Sequence, residues 1–361
     1  MWFYDLLGAP FGWLMKLIYD FVGSYGLAIV VFTFIIRLLL LPIGYGQQKN
    51  SARMQSVAPQ TAKLRKAYKD NPQKFQEEQM KLYKQEHINP YKGCMPALLQ
   101  LVVLFGILDV VYKPLTHIFR ISKSKIDTLV DFAQSNFSVK IGNMNLREEL
   151  IAMENIEAHR QNYIDGGFSD TVEKIDNFDN SLFGLADLTK IPSLHPDTWN
   201  LETITLMLIP FAAGLAQLIV TVYTLQKQKK NGSMPNMGCM TIMMYLMPIM
   251  SVVFAFSVPA GVGFYWVVSS VLSLIQSVCL YAYFTPKRIA VISEKDKIKN
   301  KDRKPSFMEK MMEQSLAQSA ANSANLAKES GLSRNEVKKL NEQKIEEARK
   351  RMEEKYGDYK S

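Results

Sequence analysis

Five stretches of the chain are almost wholly apolar: residues 25–45, 94–112, 201–226, 238–257 and 261–284. At 1.5 Å per residue, a run of about 20 residues crosses a hydrocarbon layer about 30 Å thick. Charge-dense polar segments separate these runs, and the last two are joined only by Val258-Pro259-Ala260. In lipid every backbone donor and acceptor must be met within the segment, which favours helices. The pattern therefore predicts an all-α membrane protein with five transmembrane helices, without internal repeats. Ahead of the first run, Leu7, Phe11, Leu14, Ile18 and Phe21 recur at helical spacing, with Asp5, Lys16 and Asp20 elsewhere and Trp2 and Trp13 alongside. That spacing predicts an N-terminal amphipathic helix over 1–24 lying in the membrane interface, or else a short extension of the first span. The first residues have no basic region and no small-residue cleavage site, so no cleavable signal is expected.

Charge between the spans predicts their direction. Residues 46–93 carry ten Lys/Arg against four Asp/Glu, whereas 121–200 carry seven against thirteen. The short loop 227–237 holds Lys227, Lys229 and Lys230 and no acid, and the tail 286–361 carries nineteen against thirteen. Basic loops stay in the cytoplasm, so the N-terminus is expected outside, 46–93 inside, 121–200 outside and the tail inside. Five spans allow that alternation. Much of the net charge of +9 thus lies on the inner side.

Residues 46–93 read as a cytoplasmic helical hairpin. Helix formers fill Gln47 to Lys69, Asp70-Asn71-Pro72 breaks the run with Asn71 as N-cap, and a second helix continues to about Glu86. Its large apolar residues are few (Met54, Val57, Leu64, Tyr68), too few for a core of its own, and mobility is expected. The acidic segment 121–200 is expected to hold a short helix around Arg147–His159. The tail, with a low-complexity centre at 314–325, is expected to be part helical and part disordered.

Arg37 stands out within the first span. A lone arginine near the middle of such a helix costs about 2.5–3.5 kcal/mol on insertion scales, so it needs water or a partner. Gln100, Gln217 and Gln276 lie at matching depths, roughly 9–14 Å from the inner ends of their spans. Trp266, Ser269, Ser273 and Gln276 share one helical face, Thr33 lies one turn from Arg37, and Gln217 and Thr221 are four apart. Two readings stay open: a wet recess open toward the cytoplasm with Arg37 as its charge, or helix-to-helix hydrogen bonds of the ordinary kind. A third possibility is that Asp109 of the second span neutralises Arg37. The methionines of the fourth span (Met234, Met237, Met240, Met243, Met244, Met247, Met250) suit either an adaptable apolar surface or plain core filling.

Other chemistry is hard to place. The four histidines lie outside the spans, Ser269 and Ser270 have no base nearby in sequence, and no Gly-rich nucleotide loop is present. Cys94, Cys239 and Cys279 have neither zinc nor redox spacing. No enzyme activity, metal or cofactor is expected.

The chain resembles the YidC-type membrane protein insertases, which include the mitochondrial Oxa and chloroplast Albino proteins. The likeness rests on Ile36-Arg37-Leu-Leu-Leu-Leu-Pro42, on Leu82-Tyr83-Lys84 with Asn89-Pro90-Tyr-Lys-Gly-Cys-Met-Pro96-Ala-Leu-Leu-Gln100, on Leu182-Phe-Gly-Leu-Ala-Asp-Leu188 and on Val258 to Gln276. It is similar to the compact five-span form in the bacterial cell membrane, although its outer segment is longer. The resemblance implies an arginine-bearing groove, closed to the outside, with Arg37 as its arginine. It implies that nascent membrane proteins and lipids are the partners, that the 46–93 hairpin guides substrate, and that the tail approaches ribosomes. It leaves open whether a Sec translocon cooperates. It implies the insertion of nascent segments, and because no Gly-rich nucleotide loop is present this is expected to need no nucleotide hydrolysis; a small-anion transporter or channel built on Arg37 is the rival.

Overall fold

The structure is a computed structural model. It describes residues 2–69, 72–86, 88, 95–137, 139, 147–230, 238–299 and 314. Apart from one isolated bridge between Ser181 and Asp187, regular structure among the described residues is helical. Among the described residues three helices are long and apolar enough to cross a membrane: α2 (Tyr25–Ser56), α11 (Leu201–Lys230) and α13 (Ala260–Tyr283). Two shorter apolar ones, α5 (Met95–Tyr112) and α12 (Gly238–Ala255), correspond to the second and fourth runs. Their ends fall within a few residues of the hydropathy boundaries, with two exceptions. α11 runs past Gln226 to Lys230, and α2 runs past Tyr45 and through Pro42 to Ser56.

The second exception corrects the expected first helix of the hairpin. Gln47–Ser56 belongs to α2, and the break falls at Val57, before α3 (Ala58–Ala67). Pro59 explains it: proline donates no hydrogen bond to Gln55, so the α2 ladder cannot continue through it, and it falls instead in the first turn of α3, where no donor is needed. α4 (Pro72–Gln85) starts on its proline as expected, while Asp70 and Asn71 lie outside the described residues. Two compact units result, Met1–Lys63 with Pro90–Lys295, and Leu64–Asn89 with Asp296–Ser361. In the second, Arg65 lies over the Phe75 ring (5.6 Å) and Lys74 over Tyr68 (5.5 Å), joining the end of α3 to the start of α4. The expected low-complexity centre of the tail lies outside the described residues, except Gln314.

In the first unit the long helices pack in succession: α5 on α1 (Trp2–Val22), α1 on α2, α2 on α13, α13 on α11 and α11 on α12. The apolar stripe of α1 faces protein as far as Ile18, whereas Phe21 at its end is exposed. Met15 and Ile18 are buried, and Phe11 meets Phe32 edge-on with ring centres 5.8 Å apart. A second row on α1, Trp13, Leu17 and Phe21, is left exposed.

Burial is concentrated at one end of this bundle. On α2 it covers Tyr25, Gly26, Ala28, Ile29, Phe32, Thr33 and Ile36, then resumes only at Asn50. On α13 it covers Ala260–Gly263, Tyr265, Ser269 and Ser270 and goes no further. On α5 it covers Val103 and Gly106–Tyr112, while Leu98, Leu101 and Val102 are exposed. The segment 121–200 caps the packed end. It contains α7 (Lys123–Phe137), α8 (Glu148–Ala158), α9 (Arg160–Asp165) and α10 (Ser169–Asp176), of which the sequence suggested only α8. Its carbonyls take up donors that helix starts leave free: Asp179 O accepts from Tyr25 N (2.9 Å), Lys190 O from Ala260 N (2.8 Å) and Leu188 O from Gly261 N (2.8 Å).

A buried polar cluster sits under this cap. Asp109 of α5 pairs with Lys113 (2.7 Å) and His117 (2.8 Å). Helix α1 passes close above through Gly8 and Gly12. A Cβ at Gly8 would fall 1.8 Å from Asp109 Oδ2, and one at Gly12 would fall 2.1 Å from His117 Nδ1. Beside them, Thr116 of α6 (Pro114–His117) donates from its N to Glu149 Oε2 (3.0 Å), and its hydroxyl bonds Oε1 (2.6 Å). Burial pushes the Glu149 carboxyl up to about 7, against the opposing pull of the Thr116 bonds, His117 and Lys113. Its folded value exceeds its unfolded value near 4.5. The stability it adds is therefore full below pH 4.5 and is lost as pH rises through 7, by on the order of 3 kcal/mol. Thermal unfolding should show a lower Tm at pH 8 than at pH 5.5, and Glu149→Gln should flatten that slope. An unchanged slope in the variant would refute the assignment.

Candidate functional site

Where burial ends, four helices turn polar side chains toward one another. Arg37 of α2 is half-buried and reaches α13, where its Nη2 donates to the Ser269 carbonyl (2.9 Å) and to the Ser269 hydroxyl. The carbonyl can accept this bond because oxygen has a second lone pair beyond the helix ladder. Serine is small enough to leave it accessible. One turn away on α13, the buried Tyr265 accepts a hydrogen bond from Gln100 Nε2 of α5 (2.9 Å). Next to Ser269, the Ser270 hydroxyl donates to Gln217 Oε1 of α11 (3.1 Å). Arg37, Gln100 and Gln217 are thus gathered around one stretch of α13.

The alternative that Asp109 neutralises Arg37 does not match this geometry. Asp109 sits among Lys113 and His117 at the capped end. Among the described residues no carboxylate pairs with Arg37, and its hydrogen bonds all leave from Nη2. A guanidinium carries five donors, so most of its bonding capacity is left for water or a visiting group.

The remaining candidates divide. Thr33 is buried above Arg37, its hydroxyl bonded to Ile29 O (2.6 Å). The Thr221 hydroxyl likewise bonds its own helix, at Gln217 O (2.9 Å). Trp266 turns toward α12, its ring 5.6 Å from that of Phe254. Ser273 is half-buried one turn below Ser269. Gln276 lies against α2 at Gly44, where a Cβ would come within 2.3 Å of its Nε2. Of the fourth-span methionines, Met247 and Met250 are exposed.

Tyr265 and Ser270 were missed from sequence. Tyr265 adjoins Trp266 in the quoted motif, yet an apolar ring in an apolar run gives no sign that its hydroxyl will find Gln100. The Asp109 cluster had a sign that was passed over: Lys113 follows at i+4, the spacing of a helical ion pair.

This is a polytopic helical protein of membrane type, sealed by an apolar core at one end and polar where that core stops. The chain belongs to the 60Kd inner membrane protein family, whose model matches residues 17–287 of the 361. Among curated relatives, it is similar to proteins named membrane protein insertase YidC. The one from Aquifex aeolicus is 44% identical over 93 residues, which is 26% of this chain and 18% of that protein. The one from Clostridium perfringens is 44% identical over 85 residues, 24% of this chain and 36% of that protein. The one from Caldanaerobacter subterraneus subsp. tengcongensis is 45% identical over 94 residues, 26% of this chain and 46% of that protein. The aligned part therefore spans less than half the length of each of these relatives.

Proposed function

We propose that this chain is a membrane protein insertase and chaperone of the bacterial cell membrane, moving nascent transmembrane segments from the cytoplasm into the bilayer without nucleotide hydrolysis. The observation that carries the reading is Arg37. It stands half-buried where the apolar core ends, and among the described residues no acid neutralises it. In this reading α5 and α12 complete five spans, α1 lies in the outer interface, 121–200 is outside, and α3, α4 and the basic tail are inside. The 46–93 region guides substrate. The tail meets ribosomes.

The mechanism follows from two opposed terms. A hydrophobic segment gains by leaving water, at roughly 25 cal/mol per Å² of apolar surface. Its short polar flank must cross, and a charge in dry hydrocarbon is costly. A wet recess reaching Arg37 shortens the dry path, and the guanidinium attracts an acidic flank in surroundings of lowered dielectric. Gln100, Gln217, Ser269, Ser273 and Gln276 supply polar lining; Thr33 and Thr221 support it from their own helices, and Trp266 stands at its edge. No covalent step is involved.

The test is reconstitution. Purified protein in vesicles, without ATP or GTP, is expected to insert a single-span substrate with an acidic flank, read as a protease-protected fragment. The rival, an anion transporter or channel, predicts chloride or phosphate uptake by the same vesicles and no insertion above empty vesicles. Either of those results overturns the proposal. Membership of a family whose named relatives are insertases favours insertion.

A further inference from the structure

The turn at 181–187 is densely hydrogen-bonded, and it holds two apolar side chains outward. Asp179 Oδ1 accepts from Ser181 N (3.1 Å) and from its hydroxyl (2.6 Å). The Ser181 hydroxyl oxygen accepts from Gly184 N (2.9 Å). Leu182 N bonds Ala186 O (2.7 Å), Leu185 N bonds Leu182 O (2.9 Å), and Leu188 N bonds Asn180 O (3.0 Å). At the far side Asp187 Oδ1 takes both Thr189 N and its hydroxyl. Leu182, Ala186 and Leu188 point inward and are buried. Phe183 and Leu185, at 64% and 45% exposure, point out.

Phe183 has φ +52, in the left-handed region, followed by Gly184 at +74. For a bulky L-residue that region costs roughly 1–2 kcal/mol and persists only where neighbours over-determine it. Strain of this kind, used to display an aromatic ring, asks for an environment that favours the ring.

The base of the turn fixes its height. Leu188 O binds Gly261 N at the start of α13. Ser181 O lies 3.1 Å from where a Cβ of Gly26 would stand, in the first turn of α2. The tip is therefore level with the outer ends of two helices long and apolar enough to span. It carries no charge from Leu182 to Ala186. At the same end, Trp199 and Leu201 at the start of α11 are exposed too. Two protruding side chains are far less than the roughly 1,000 Å² a stable protein interface buries. Trp belongs to the aromatic belt at span ends, and Phe and Leu on an interfacial face bury into the boundary between headgroups and acyl chains.

We infer that the 181–187 turn is a lipid anchor, with Phe183 and Leu185 inserted into the outer boundary of the bilayer, holding the cap at a set depth over α2 and α13. This rests on the reading of those helices as spans, and the test separates the two. Spin labels are placed singly at Phe183→Cys, Leu185→Cys, Ile275→Cys on the exposed face of α13 and Asp131→Cys on the exposed face of α7, in full-length protein with Cys94, Cys239 and Cys279 changed to serine. The protein is reconstituted in phosphatidylcholine–phosphatidylglycerol vesicles. Labels at 183 and 185 should be relaxed more by oxygen than by a water-soluble nickel chelate, and the label at 131 the reverse. Phe183→Gly suits the backbone, so it should not lower Tm in detergent, yet it should shift the Leu185→Cys label toward the chelate. A label at 183 that behaves like 131 overturns the anchor, and so does one shielded from both agents, the sign of a protein partner. An aqueous label at 275 would instead overturn the spanning reading and the anchor together.

Discussion

Arg37→Ala is expected to cut insertion of substrates with acidic flanks about tenfold or more. Two unit charges about 4 Å apart attract by about 1 kcal/mol in bulk water and about 4 kcal/mol at an effective dielectric of 20. Arg37 is half-buried, between those limits, and about 1.4 kcal/mol already corresponds to a factor of ten. Arg37→Lys keeps the charge and gives up the planar guanidinium, whose Nη2 reaches both Ser269 O and Oγ. It should stay within about threefold of the parent if charge is what the flank feels. Substrates with neutral flanks should be indifferent to both changes. The measurement is the protease-protected fraction in proteoliposomes for matched acidic and neutral substrates. An alanine variant that treats the two alike would sink the mechanism.

The second large effect concerns the sealed end. Phe32 is fully buried in the packed first half of α2, edge-on to Phe11 of α1. Phe32→Ala removes the ring from a packed core and is expected to cost about 3–5 kcal/mol. The loss should appear as a sharply lower Tm of the purified protein. It should also loosen the seating of α1, because the facing ring loses its partner. Leu39 lies beyond Arg37 on the same helix and is 66% exposed. Leu39→Ala should therefore stay within about 0.5 kcal/mol. Equal effects at the two positions would show that packing is not concentrated where the burial places it.

The contrast between these positions shows how far the chain could be read without coordinates. Helix positions were legible because runs of apolar residues leave the backbone few alternatives. The break at Val57 was legible too, had Pro59 been weighed against the helix formers around it. The four helices described within 121–200 were mostly not. Their apolar residues, such as Leu129, Ile156 and Val172, are sparse and become core only by packing together under the cap. Arg37 could be singled out from cost alone. That its guanidinium would meet Ser269, while Asp109 went to Lys113 and His117, could not.

Hydropathy and charge along the chain settle that it is helical, where its apolar helices fall, and that one of them carries a cation in the middle of an apolar run. These follow from local terms, the backbone's need for internal hydrogen bonds and the transfer cost of each side chain. The tertiary structure decided which polar groups face one another, which end is filled and where burial stops. Those outcomes depend on how helices far apart in sequence rotate and approach, set by packing between distant residues such as Gly8 against Asp109 and Gly261 against Leu188. No local pattern encodes that rotation.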